Sequence, residues 1–175
     1  MSLIVRASTE ADVARCAEIY GHHVLHGTAS FEVDPPGVEE MKKRRKAVLD
    51  LGLPYLVAEK AGRVLGYAYA SNWRPRPAYK FSVEDSIYID KDAVGQGVGK
   101  ALLPVLIEQC TALGKRQMVA VIGDSAQTPS IRLHEGCGFE MVGTIKSIGF
   151  KFGRWLDSVL MQRALGTGDS QPPGA

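Results

Sequence analysis

"DKDAVGQGVGKALL", residues 90–103, carries glycine at 95, 97 and 99 between the end of an apolar strand pattern and the start of a helical one. Backbone N–H groups at such a junction converge on one point, and the helix dipole favours negative charge there. Bare backbone at Gly95, Gly97 and Gly99 lets a diphosphate approach those amides, those of Gln96 and Val98 included, and Lys100 adds a charge beside them. The competing reading is a turn whose glycines only let a helix pack closely. Two known phosphate loops are excluded by spacing. A P-loop needs glycine where Val94 stands and a hydroxyl where Ala101 stands. A dinucleotide fingerprint needs GxGxxG and an acid about 20 residues on, whereas this loop reads GxGxG and position 119 is valine.

Outward from the loop the chain alternates strand and helix patterns without an internal repeat. "LIVRA" (3–7) reads as a strand, and Ser8 or Thr9 caps a helix that runs to about His26. "FEVDPPG" (31–37) is a loop with an apolar anchor, 38–51 a helix, and 54–73 two strands turned at Ala61 and Gly62. "RPRPAYK" (74–80) is a proline-stiffened loop and 81–90 a strand. The helix over 98–114 contains Pro104, expected to kink it, and ends at Gly114. A strand at 116–123, a short helix at 129–138 and two strands over 138–163 complete the pattern. The hairpin demands antiparallel pairing, so the fold class is α+β with a mixed, mostly antiparallel central sheet flanked by helices. One domain over 1–165 is expected, with a fraying tail at 166–175.

Composition bounds the function. With 45% hydrophobic and 23% charged residues the chain is globular, and a formal charge of +2 is too small to mark nucleic acid as a partner. "KKRR" (42–45) is read as a solvated helix face. No apolar run is long enough for a spanning helix, so no membrane is expected. Cys16, Cys110 and Cys137 lack metal or redox spacing and point to a reducing, cytoplasmic setting, with Cys16 and Cys110 as core residues. His22, His23 and His26 are read as a polar helix face and no metal site is expected.

"VGQGVGKALL" followed by "TPSIRLHEGCGF" resembles the acetyl-CoA binding core of the GCN5-related N-acetyltransferases. "TASFEVDPP", "RPRPAY", "SVEDSIYID" and "SIGFKFGRWLDSVLMQR" are similar, in order from about 3 to 163, to the branch that acetylates phosphinothricin, methionine sulfoximine and methionine sulfone. The chain departs from that pattern at Val94, where Gln or Arg is usual, and at Gln127, where Asn is frequent. The resemblance implies acetyl-CoA between the strands at 81–90 and 116–123, its arm paired with the main chain of Ile87, Tyr88 and Ile89. It puts the diphosphate on the glycine loop, with Gln127 and Ser130 as further polar contacts.

An amine attacks a thioester only when neutral, so the site must take a proton and return one to the leaving thiolate. Glu84, on one strand face with Ser82, Ser86 and Tyr88, is the candidate base, its pKa raised by burial. His134 stands where many family members carry a tyrosine that protonates the thiolate; an imidazole there serves as that acid or orients Glu84 or a water. Arg74 and Arg76, beside Tyr79, suit an anionic acceptor, with Phe31 and Ser86 as pocket residues. Trp155 and Asp157 match the family ending, where strand packing and subunit pairing are both open; Lys151 and Arg154 have no assigned role. The expected reaction is direct acetyl transfer to the α-amine of a small amino acid or analogue, in a homodimer. The alternatives are a peptide N-terminal acetyltransferase and a coenzyme A binding module without turnover.

Overall fold

Ala61 and Gly62, with φ of 54° and 76°, turn the chain between β2 (Tyr55–Lys60) and β3 (Arg63–Asn72). Two successive positive φ values give the turn a twist that matches the flanking strands. The expected hairpin is therefore present, and the rest of the sheet is laid on it. The computed structural model describes residues 2–173 and contains one seven-stranded sheet. Its other strands are β1 (Ile4–Ala7), β4 (Ser82–Ile89), β5 (Gln117–Gly123), β6 (Glu140–Lys151) and β7 (Arg154–Ala164), in the order β1-β2-β3-β4-β5-β7-β6. All pairs are antiparallel except β4 with β5. That pair is joined by the crossover helix α3 (Val98–Ala112), and a crossover is what parallel neighbours require. The α+β class read from the sequence is the class observed.

The helices take opposite faces. Gly66 lies beneath α3, so close that a methyl group there would come within 2.9 Å of Val98 Cγ1. Its neighbour Tyr67 points the other way, into an aromatic cluster with Tyr55, Tyr69 and Tyr88. Tyr20 of α1 (Val13–His26) closes that cluster edge-on against Tyr88, and α2 (Val38–Asp50) packs beside α1. α4 (Thr128–Gly136) lies against β5. The core between α3 and the sheet is made by Leu102, Leu103, Leu106, Met118 and Met161, all fully buried. Each such side chain contributes about 1.5–3 kcal/mol by leaving water. α3 runs through Pro104 as one helix, and Gly114 (φ 75°) ends it as expected.

Several local expectations need revision. Arg44 bonds Glu32 at 2.6 Å and Arg45 donates to the Ser8 carbonyl at 2.6 Å, so the basic run is half engaged in tying α2 to its neighbours. His23 is not a solvated residue: its Nε2 lies 2.7 Å from the Ile89 carbonyl, and burial lowers its pKa. Cys16 and Cys110 are core residues as read, their thiols pushed up to about 12 by burial. Within the expected tail, the Gly168 carbonyl accepts from Arg116 at 3.5 Å; residues 174 and 175 lie outside the described residues. Among the described residues no helix is long and apolar enough to cross a membrane.

The entry to α1 is fastened to the sheet by one carboxylate. Asp12 receives both ends of the Arg6 guanidinium at 2.7 and 2.8 Å, and the backbone N–H and hydroxyl of Thr9 at 2.7 and 2.9 Å. Arg6 also reaches Glu59 of β2. These bonds, Arg6 foremost, hold the Asp12 carboxyl down at about 2. A depressed carboxyl stabilises the fold above its unfolded pKa of about 4, and that contribution is lost as pH falls through the folded value. Asp12→Asn should therefore lower stability by about 1–2 kcal/mol at pH 7, a figure reduced for the part-exposed Arg6. The deficit should shrink as pH falls toward 2, as urea titrations of both proteins would show.

Candidate active site

The ladder between β4 and β5 stops early. Ser82–Asp85 pair with Gln117–Ala120, and beyond those residues β4 stays with β3 while β5 continues with β7. The two parallel strands part there, leaving Ser86–Ile89 without a β5 partner on that edge. A cavity of about 290 Å³ opens in the wedge, lined by Ser86, Ile87 and Tyr88 from β4 and by Val121, Ile122 and Gly123 from β5. Unpaired main chain along a strand edge accepts an extended ligand as if it were another strand. Ile89 lies outside the cavity lining, and its carbonyl is already taken by His23.

The glycine loop leads away from this wedge into α3, and its glycines have two different causes. Gly95 and Gly97 have φ of 79° and 82°, and a side chain added to either would meet nothing within 4 Å. They are needed for backbone conformation, and the space beside them is open. Gly99 is needed for packing, because a methyl group there would lie 2.8 Å from Leu133 Cδ2 of α4. The packing reading of the motif therefore holds at Gly99, while Gly95 and Gly97 answer to backbone conformation. Val98 is buried, so only its backbone faces outward, while Val94 and Lys100 are exposed. Gln96 spends its side-chain amide on the Asp92 carbonyl at 2.7 Å. Asp90, bonded to Arg15 and to Arg63, caps the short turn Lys91–Ala93 and so fixes the loop's starting direction.

Glu84, Asp85 and His134 all line the cavity. Glu84 is raised from the ordinary carboxylate range by burial and by the adjacent Asp85 charge, with Arg74 acting in the opposite sense. His134 is fully buried. Its Nδ1 lies 2.7 Å from the Ser130 carbonyl and its Nε2 3.0 Å from Asp85 Oδ2, and its ring meets Phe139 edge-on. Burial alone would lower its pKa; the Asp85 bond, the Asp85 charge and the Ser130 carbonyl together outweigh that and hold it above the usual histidine value. Asp85 escaped the sequence reading. The signal was present in Val83, Asp85 and Ile87, where strand alternation puts a carboxylate on an otherwise apolar face.

Phe31 forms the opposite wall. Its ring sits in a slot between Gly123 and Gly149, where added methyl groups would lie 2.8 and 2.4 Å from ring carbons. The segment carrying it is pinned from three sides. Lys151, buried, donates to the carbonyls of Gly27 and Ser30 at 2.9 and 2.8 Å; Gln127 donates to the Thr28 hydroxyl at 2.9 Å; Tyr20 bonds Ser30 at 2.8 Å. Lys151, without a role on the sequence alone, is thus a structural support of the pocket wall. Arg154 pairs with Asp124, which holds a φ of 75° at the end of β5. Arg74, Arg76 and Tyr79 lie exposed on the β3–β4 loop and outside the cavity lining, with Arg74 stacked on Trp73 at 4.7 Å. Ser130 and Gln127 line the cavity at the start of α4.

Comparison with known proteins agrees with this architecture. The chain is 55% identical to a phosphinothricin N-acetyltransferase of Alcaligenes faecalis, over 97% of this chain and 86% of that one. It is 38% identical to an L-methionine sulfoximine/L-methionine sulfone acetyltransferase of Salmonella typhimurium, over 93% and 95% of the two chains. The crystal structure of a phosphinothricin acetyltransferase from Sinorhizobium meliloti in complex with AcCoA superposes with a TM-score of 0.95 at 49% identity, over 99% of this chain and 94% of that one. Residues 5–160 match the acetyltransferase (GNAT) domain. A strand pair that parts at mid-length, a glycine loop entering the crossover helix and this sequence likeness have one common explanation: the chain belongs to the GNAT family of acetyltransferases.

Proposed function

We propose that this chain transfers an acetyl group from acetyl-CoA to the α-amine of a small amino acid or amino-acid analogue of the phosphinothricin or methionine sulfoximine kind. The observation that carries the reading is the wedge between β4 and β5, with a carboxylate of raised pKa among its lining residues. Ile87 and Tyr88 offer main-chain groups to the coenzyme arm, and Gly95–Lys100 offer backbone amides to its diphosphate. When bound, the coenzyme supplies the activated acetyl group. Glu84 takes the proton that makes the incoming ammonium a nucleophile, and Phe31 and Ser86 shape the acceptor pocket. The cysteines stay out of the chemistry, since none lines the cavity and burial keeps each thiol protonated; transfer is direct.

The partners follow from the same surfaces. The β6–β7 hairpin exposes Met141, Val142, Ile148, Phe150, Phe152 and Trp155, each more than half accessible. Exposed apolar side chains gathered on one hairpin suit an interface, and the occupant proposed is a second copy of the chain. Neither nucleic acid nor membrane enters the reading, and the three free cysteines suit the cytoplasm. A single domain over 1–165 with a terminal tail is part of the same proposal.

Thiol release with acetyl-CoA and a panel of free amino acids, sulfones, sulfoximines and short peptides tests the reaction, and turnover with peptides alone would overturn it. Glu84→Gln should lower kcat about 100-fold or more and abolish the acid limb of the pH profile, with acetyl-CoA affinity by calorimetry unchanged. Arg74→Ala removes a positive charge that holds Glu84 down, so the acid limb of kcat/KM should move to higher pH, and KM for an anionic acceptor should rise. Trp155→Asp should convert dimer to monomer in sedimentation velocity.

A further inference from the structure

The mechanism above leaves one buried group unused. Asp85 has a side chain only 2% exposed, it lines the cavity, and its Oδ1 has no hydrogen-bond partner among the described residues. Buried carboxylate oxygens are seldom left so, because the desolvation is uncompensated until a donor arrives. His134 cannot meet the reacting atoms with a free nitrogen. The Ser130 carbonyl only accepts, so Nδ1 carries a hydrogen, and Nε2 is committed to Asp85 Oδ2. We propose that Asp85 Oδ1 is the atom that carries a proton from the attacking nitrogen to the departing sulfur, with His134 as a positioning residue behind it. This rests on the acetyl-transfer reading.

The groups facing the pair are few. Glu84 adjoins Asp85 on β4, Cys110 faces it from α3, and Cys137 faces it from the end of α4. Both thiols are pushed up and neutral, and among the described residues no lysine or arginine bonds to Asp85. The imidazolium of His134 is therefore the compensating charge, and it holds the carboxylate through Oδ2, leaving Oδ1 as the unpaired oxygen. Adjacent strand residues project to opposite faces, so Glu84 and Asp85 approach the wedge from two sides. The protons then balance. Glu84 removes one from the ammonium and releases it to solvent. As the C–N bond forms, a second leaves nitrogen for Oδ1; as the C–S bond breaks, its electron pair passes to sulfur, which takes that proton from Oδ1. Asp85 and His134 end as they began.

The test compares wild type with Asp85→Asn, Asp85→Ala and His134→Gln, each checked for folding by thermal melt and for acetyl-CoA binding by calorimetry. Asp85→Asn, close in shape, should bind acetyl-CoA within about twofold of wild type and lose kcat about 100-fold or more. Asp85→Ala should recover part of its kcat with added formate and other small carboxylates, the more basic ions giving the faster rates. His134→Gln should lose about tenfold. Nitrogen-15 NMR at pH 7 should show both His134 ring nitrogens protonated in wild type and only Nδ1 in Asp85→Asn. An Asp85→Asn enzyme within about threefold of wild type, or an Asp85→Ala enzyme whose rate ignores carboxylate basicity, overturns the proposal. If wild type itself fails to acetylate free amino acids, the reaction assignment fails instead.

Discussion

Pairing between β4 and β5 lasts four residues on each strand and then stops, and the arrangement of the site depends on that interruption. Two parallel strands that stayed together would satisfy each other's amides and carbonyls and leave no groove. Because β5 stays with β7 beyond Ala120 while β4 stays with β3, the main chain of Ser86–Tyr88 faces a cavity. The same divergence exposes both faces of β4 to one space. Two neighbouring carboxylates, which strand alternation would otherwise separate completely, therefore border the same cavity.

The packing around this opening is tight at some glycines and open at others. α3 lies close on β3 because Gly66 leaves room for Val98, and close on α4 because Gly99 leaves room for Leu133. Gly95 and Gly97, between them, face empty space. On the opposite wall Gly123 and Gly149 form the slot for Phe31, and buried Lys151 ties that segment by two carbonyls. A buried lysine is costly to desolvate, and burial lowers its pKa, yet here it replaces a stretch of regular structure that the 27–31 segment lacks.

The architecture was legible because its signals are local. The turn at Ala61–Gly62, the alternation in β4, the glycines before α3 and the proline in the first turn of α4 each dictate backbone in a short window. That Glu84 would be partly buried was legible from its place on the β4 face, and it does line the cavity with its pKa raised. What was not legible depends on residues far apart in the chain. His23 finding the carbonyl of Ile89, Lys151 finding those of Gly27 and Ser30, and Asp85 finding His134 are contacts between elements separated by dozens of residues. Arg44 and Arg45 looked solvated because a helix wheel does not show that Glu32 and Ser8 lie against it.

The slot that receives Phe31 separates two kinds of recognition. On the proposed reading the donor is held by backbone, which almost any substitution leaves intact, whereas the acceptor would meet side chains such as Phe31 on the 27–31 segment, and the exposed 74–80 loop is a second place where exchange costs the scaffold little. Natural variation in this architecture should therefore diversify what becomes acetylated while the acyl donor stays constant, and laboratory selection for new amines should concentrate its changes on those two loops.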